Sequence, residues 1–139
     1  VRLSEFDNII GIKDATGNLE YTEKIAKALP EFYIYSGNDD LIYDVLERGG
    51  HGVISVVANI LPLKTHQFIA EYFWGNKEAS KQHQEEMMPL ISNLFGEPNP
   101  IPVKYVMDKL DLIPNGTLRL PLTDLSEKYR EALEGVLHD

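Results

Sequence analysis

Lys13 stands at the end of an apolar run, "NIIGIK" (8–13), just before a turn-forming "DATGN". A charged amine closing a β-branched strand segment is costly unless it has a use. Alternation along the strand puts Ile9, Gly11 and Lys13 on one face, and Ile10 and Ile12 on the other. Gly11 leaves room on the face that carries the lysine. In α/β folds, ligands bind at the carboxyl ends of strands, which is where Lys13 falls. An amine desolvated there has a depressed pKa and is free to attack a carbonyl, giving a Schiff base. The competing reading is a lysine that snorkels out of a strand end or pairs with Asp14. Spacing alone weighs toward that plainer reading.

Two further strand ends offer polar or small residues. In "YSGNDD" (35–40), Gly37 lets a backbone approach closely, and Asp39 and Asp40 can bind a cation or cap the helix that follows. Capping is the better fit. In "GGHGVISVVAN" (49–59), carbonyls lining a pocket would account for the small residues around Ile54 and Ser55; ordinary core packing is the simpler account. Glu97, Asn99 and Lys104 flank a proline-rich loop that either presents them to a pocket or leaves them as solvated surface. His51, His66, His83 and His138 show no H-x-x-H or H-E-x-x-H spacing, so no zinc site is expected. "GNDD" is not a phosphate-binding loop, and "GGHG" is not a dinucleotide fingerprint.

The elements that position these residues follow from periodicity. Strands are expected at 8–13, 32–37 and 52–59, each apolar on both faces, as suits parallel strands covered by helices. Leu19, Thr22, Ile25, Ala26 and Leu29 mark a helix stopped by Pro30. Leu41, Ile42, Val45 and Leu46 mark the next, ended by Gly49-Gly50. Leu63, Phe68, Ile69, Tyr72 and Phe73 mark a third. Strand and helix therefore alternate through the first half, the signature of parallel βα units. The second half reads as helices only: His83, Met87, Leu90, Ile91 and Leu94 on one stripe, then a rigid "GEPNPIP" (96–102), then Val103, Val106, Met107 and Leu110. After an irregular "LIPNGTLRLP" (112–121), Asp124 and Glu127 resemble a capping box opening a last helix through Leu125, Tyr129, Leu133 and Val136.

Composition narrows the class. The 139 residues suffice for one domain with a real core, and 43% hydrophobic with 25% charged residues is a globular balance. Thirteen basic against 22 acidic side chains give a net charge of −9, which argues against nucleic-acid binding. The absence of cysteine removes disulfides, thiolate nucleophiles and cysteine-based zinc sites, and fits a cytoplasmic location. No apolar run approaches the roughly 18 residues of a membrane span, and the start carries no signal-peptide pattern. Val1 is not Met, and "VRLSEF" reads as the end of a helix, so the chain is expected to begin mid-protein.

Taken together, "GIKDATGN", "SGNDD", "GGHGVISVVAN", "EPNPIPVK" and "LRLPLT", in this order and spacing, resemble the dihydrodipicolinate synthase family. That family belongs to the lysine-dependent class I pyruvate aldolases, with N-acetylneuraminate lyase. The likeness runs over essentially the whole chain. Each motif is weak; all in register are specific, and "GIKDATG" with "GVISVVAN" is closer to the synthases than to the lyase. The resemblance implies the C-terminal portion of a (β/α)8 TIM barrel, of α/β class, followed by a helical segment: residues 1–75 as the last three βα units and 76–139 as the helices. It implies that Lys13, on the sixth strand, forms the Schiff base with pyruvate, and that the resulting enamine attacks L-aspartate-4-semialdehyde in lysine (diaminopimelate) biosynthesis. Ile54 matches the position whose backbone carbonyl lies beside the pyruvyl group, and Gly37 a position at the same pocket rim. The resemblance implies no metal, no organic cofactor, no nucleic acid and no membrane, and a homo-oligomer, commonly a tetramer, in the cytoplasm.

The departure from the family is large. Only the C-terminal half is matched, without the first five strands, the Thr-Thr turn and tyrosines that shuttle protons, the arginine that holds the semialdehyde carboxylate, or the lysine-feedback site. A barrel of this type needs about 250 residues. The expectations are self-association of half-barrels, pairing with the missing N-terminal half, or a chain cut from a longer protein, with no normal synthase activity for the chain alone. The alternatives are a sister aldolase for another 2-oxo acid and a truncated, non-catalytic oligomerising module.

Overall fold

In the computed structural model, which describes residues 2–138, three short parallel strands form one sheet: β1 (Gly11–Asp14), β2 (Tyr33–Ser36) and β3 (Gly52–Val53), in the order β1-β2-β3. The register pairs Gly11 with Tyr33, Lys13 with Tyr35, and Tyr35 in turn with Gly52. Helices follow each strand: α1 (Leu19–Ala28), α2 (Ile42–Glu47) and α3 (Pro62–Phe73). Then come α4 (Lys77–Leu94), α5 (Ile101–Lys109) and α6 (Glu127–His138), with no further strand among the described residues. The expected helix end at 1–6 is a 3-10 turn over Arg2–Glu5; Val1 lies outside the described residues.

Local chemistry explains the boundaries. The Asn18 side chain caps α1 by accepting from the Tyr21 N–H at 3.2 Å, Glu20 sits in the first turn and Lys27 in the last. Pro62 opens α3, where its missing N–H costs nothing. The last helix opens two residues later than a capping box at Asp124 requires. The Ser126 carbonyl accepts from Tyr129 and Arg130, and the Ser126 N–H donates to Glu97 Oε1 at 3.2 Å. The cap is therefore Ser126, tied down by Glu97 from the proline-rich loop.

The third expected strand is mostly absent. "GVISVVAN" is a strand only at Gly52–Val53, and Val57–Asn59 is a 3-10 turn. The side chain of Asp39 takes the N–H groups of Val56 and Val57, both at 2.9 Å, and so withdraws them from any ladder. The expectation of strands covered on both faces also fails. Ile34 and Ser36 are buried under the helices, whereas Tyr33, Tyr35 and Ile54 on the opposite face are 47%, 36% and 51% exposed. The buried face carries α2, which packs on β2 and β3.

The apolar core lies between α2, α3, α4, α5 and α6. Phe68, Met87, Ile91, Leu94, Val106 and Leu133 are completely or almost completely buried and belong to one cluster, which runs across the division at residue 75. Each such side chain contributes about 1.5–3 kcal/mol of burial. Two residues expected on the α3 core stripe, Leu63 and Phe73, instead face solvent, as does Leu110 after α5. Buried polar groups lock the helices in place. Ser80 on α4 donates to the Phe68 carbonyl at 2.9 Å. Gln84 accepts from the Tyr43 N–H at 2.9 Å and donates to the carbonyls of Asp39 and Asp40, at 2.9 and 2.7 Å.

Candidate active site

Strand alternation assembles the site. Gly11, Lys13, Tyr33, Tyr35 and Gly52 share the bare face; Ile12, Asp14, Ile34, Ser36 and Val53 share the helix-covered face. Backbone bonds continue the ladder past the strand ends: Gly37 N–H donates to the Asp14 carbonyl at 2.7 Å, and Ile54 N–H to the Ser36 carbonyl at 2.9 Å. These bonds bring Gly37 and Ile54, far apart in sequence, to the end of the sheet that carries Lys13. Lys13 and Ile54 line one open hollow of about 490 Å³, together with Tyr33 and Tyr35. Gly37 touches the lysine directly: a Cβ at position 37 would lie 3.0 Å from Lys13 Cε and 2.6 Å from the Ala15 Cβ.

The other glycines act differently from the sequence reading. The space beside Gly11 is taken by Tyr33, whose carbonyl would lie 2.6 Å from a Cβ there. Gly52, at φ +154°, lets the Tyr35 ring lie across it, since a Cβ there would meet ring carbons at 3.3 and 3.4 Å. Tyr35 is a site residue that pattern reading missed. Its signal was the alternation in "FYIYSG", which places Tyr33 and Tyr35 on the lysine face.

Lys13 does not pair with Asp14. That carboxylate turns to the opposite face, where Oδ1 accepts from the Thr16 N–H at 3.0 Å and the Thr16 hydroxyl at 2.7 Å, and Oδ2 from the Thr22 hydroxyl at 2.7 Å. Burial pushes its pKa up, but the bonds from Thr16 and Thr22 prevail and hold it below the ordinary carboxylate value. Among the described residues the Lys13 amine has neither an ion-pair nor a hydrogen-bond partner. Its side chain is exposed, so the desolvation expected from the sequence is not supplied by this chain, whose own elements leave that face uncovered.

Comparisons with known proteins bear on the family and on the fold. The family model described as "Dihydrodipicolinate synthetase family" matches residues 1–139. The chain belongs to the dihydrodipicolinate synthetase family. It is 47% identical over 137 residues to 4-hydroxy-tetrahydrodipicolinate synthase of Caldicellulosiruptor saccharolyticus, covering 99% of this chain and 46% of that protein. The synthase of Acetivibrio thermocellus is 45% identical, with 99% and 47% covered. The solved synthase structure from Methylacidiphilum fumariolicum superposes with a TM-score of 0.94 at 36% identity, over 99% of this chain and 46% of that one. The chain thus spans about half the length of the curated relatives it matches. The three-stranded sheet and its helices are a portion of the (β/α)8 barrel of dihydrodipicolinate synthetase structures.

The remaining candidates stand apart from the strand that carries Lys13. Asp39 is fully buried and bonds the backbone at Val56 and Val57; it does not cap its own helix. Asp40 is exposed, and only its carbonyl is engaged, by Gln84. Ser55 Oγ accepts from the Ala58 N–H at 2.9 Å, steadying the turn after Ile54. Glu97 and Lys104 are used within the helical segment, Glu97 at Ser126 and Lys104 as a donor to the Thr117 carbonyl, and neither lines the hollow. His51 Nδ1 accepts from the Ile34 N–H at 3.2 Å, a structural duty. No group of acidic and histidine side chains among the described residues could hold a metal ion, and no helix is long and apolar enough to cross a membrane.

Proposed function

We propose that this chain carries the imine-forming part of a lyase that condenses pyruvate with L-aspartate-4-semialdehyde in lysine (diaminopimelate) biosynthesis. Residues 1–75 are read as the last three βα units of the barrel and 76–139 as the helical segment after it. The carrying observation is Lys13. Its amine is unpartnered at the carboxyl end of β1, laid over Gly37, in the hollow that Ile54 also lines. An amine so placed attacks C2 of pyruvate; the former carbonyl oxygen leaves as water and an imine remains. Loss of a proton from C3 gives the enamine, whose C3 forms the new carbon–carbon bond with the semialdehyde carbonyl. The protonated imine is itself the electron sink, so this chemistry calls for neither metal nor organic cofactor.

The partners in this reading are the two small substrates and either a second copy or an N-terminal half that completes the barrel, in the cytoplasm. The chain alone is expected to lack normal turnover, because its own elements leave the sheet face that carries Lys13 uncovered. A sister aldolase for another 2-oxo acid shares every step up to the enamine. A second reading, a non-catalytic oligomerising module, draws on the bare sheet face and the unpaired outer edge of β1.

Borohydride reduction in pyruvate with intact mass and peptide mapping separates the readings. A pyruvate-derived adduct at Lys13, absent in Lys13→Ala, is the expected result. A folded chain that gives no adduct at Lys13 overturns the lyase reading in favour of the module.

A further inference from the structure

We propose that Asp39 is a positioning residue for the backbone carbonyl of Ile54: its buried carboxylate holds the turn that follows Ile54 and so sets where that carbonyl stands beside the substrate. The inference rests on the function proposed above and adds a residue to it.

Ile54 has little of its own to fix it. Its side chain is 51% exposed and lies on the bare face. On its N-terminal side the ladder bond to Ser36 holds it. On its C-terminal side Ser55 is followed by the β-branched Val56 and Val57, and the chain nonetheless leaves the sheet. Asp39 makes it leave. Oδ2 accepts from both Val56 and Val57, each at 2.9 Å, and Ser55 Oγ closes the next link at Ala58. Asp39 is itself anchored, because Gln84 on α4 donates to its carbonyl at 2.9 Å. A chain of bonds therefore runs from the helical core, through Asp39, to the turn beside Ile54.

The arrangement is expensive for the fold. Asp39 is wholly buried, and its Oδ1 has no hydrogen-bond partner. A buried polar atom left unsatisfied costs about 1–3 kcal/mol, so an apolar residue here would pack at lower cost. An apolar residue could not hold two backbone N–H groups at once. The carboxylate is kept where only its geometry is useful, at the site that aims Ile54.

The test compares two carbonyl probes at Lys13, followed by borohydride and peptide mapping. Pyruvate must sit against the Ile54 carbonyl; formaldehyde is small enough to reach the amine whatever the turn does. In Asp39→Ala the rate of pyruvate trapping at Lys13 should fall roughly tenfold or more, in line with the cost of a misplacement near 1 Å. Formaldehyde labelling at Lys13 should stay as in the wild type. Asp39→Asn keeps an acceptor of the same shape and should recover most of the loss. Should Asp39→Ala fail to fold by circular dichroism, Val56→Pro removes a bond from the other end. The φ of −81° at Val56 suits proline, and the same selective loss is expected. Equal pyruvate trapping in wild type and variants overturns the role of Asp39 alone. Parallel loss with both probes does so too, because it marks a general disturbance of the lysine. No pyruvate adduct in the wild type overturns the proposed function and, with it, this role.

Discussion

Residues 2–41 and residues 42–138 are held together by different means. The first stretch carries Lys13 and Gly37, yet no side chain in it belongs to the main apolar cluster, whose buried members run from Ile42 to Leu133. It is fastened by the β1–β2 ladder, by the bonds that Asp14 accepts, and by half-buried apolar residues of α1. The second stretch packs Phe68, Met87, Ile91, Leu94 and Leu133 into one interior. A surface left open to a ligand cannot also be packed, and the proposed site accordingly falls on the stretch outside the main apolar cluster.

The contrast can be broken most forcefully in the core. Leu94→Ala, at a fully buried position, should lose about 2–5 kcal/mol in urea unfolding. Ile25→Ala on α1, half-buried, should lose only about 1 kcal/mol; equal losses would erase the distinction between the regions. Asp14 comes next. Its carboxyl is held below the ordinary 3.8 in the folded chain, so its stabilisation is complete above that value and is lost as pH falls through the lower folded value. Asp14→Asn should cost about 1–2 kcal/mol at neutral pH and flatten the acid limb of the stability curve; an unchanged limb would show that Asp14 does not fasten β1 to α1. The smallest effect belongs to Lys13. Lys13→Ala should shift stability by less than about 0.5 kcal/mol, and a large shift in thermal melting would reveal a structural duty for the lysine.

Much of this division was legible in the sequence. The helical stripes of α4, α5 and α6 named Met87, Ile91, Leu94, Val106 and Leu133, all of them buried, because a 3.6-residue period reports directly on which side is covered. The lysine strand and the alternation that puts Lys13 opposite Ile12 were legible for the same kind of reason. The burial of one sheet face only was not. An apolar strand run shows what a face tolerates, and only its neighbours in space show whether anything covers it. The early end of β3 was equally hidden. "GVISVVAN" has every local mark of a strand, and the group that diverts it, Asp39, lies 17 residues before Val56. A longer separation concealed Gln84, 41 residues from its partner Tyr43.

Gly37 has a consequence for the entropy of the lysine it supports. A lysine free in solvent loses up to about 2 kcal/mol of rotamer freedom when fixed in place. Here the Cε lies against the spot where a side chain at 37 would begin, so that a methyl at 37 would bar the lysine from the position it takes. The missing methyl thus works as a groove for the lysine arm. In the proposed function, a lysine lying in that groove would reach its carbonyl along a defined path.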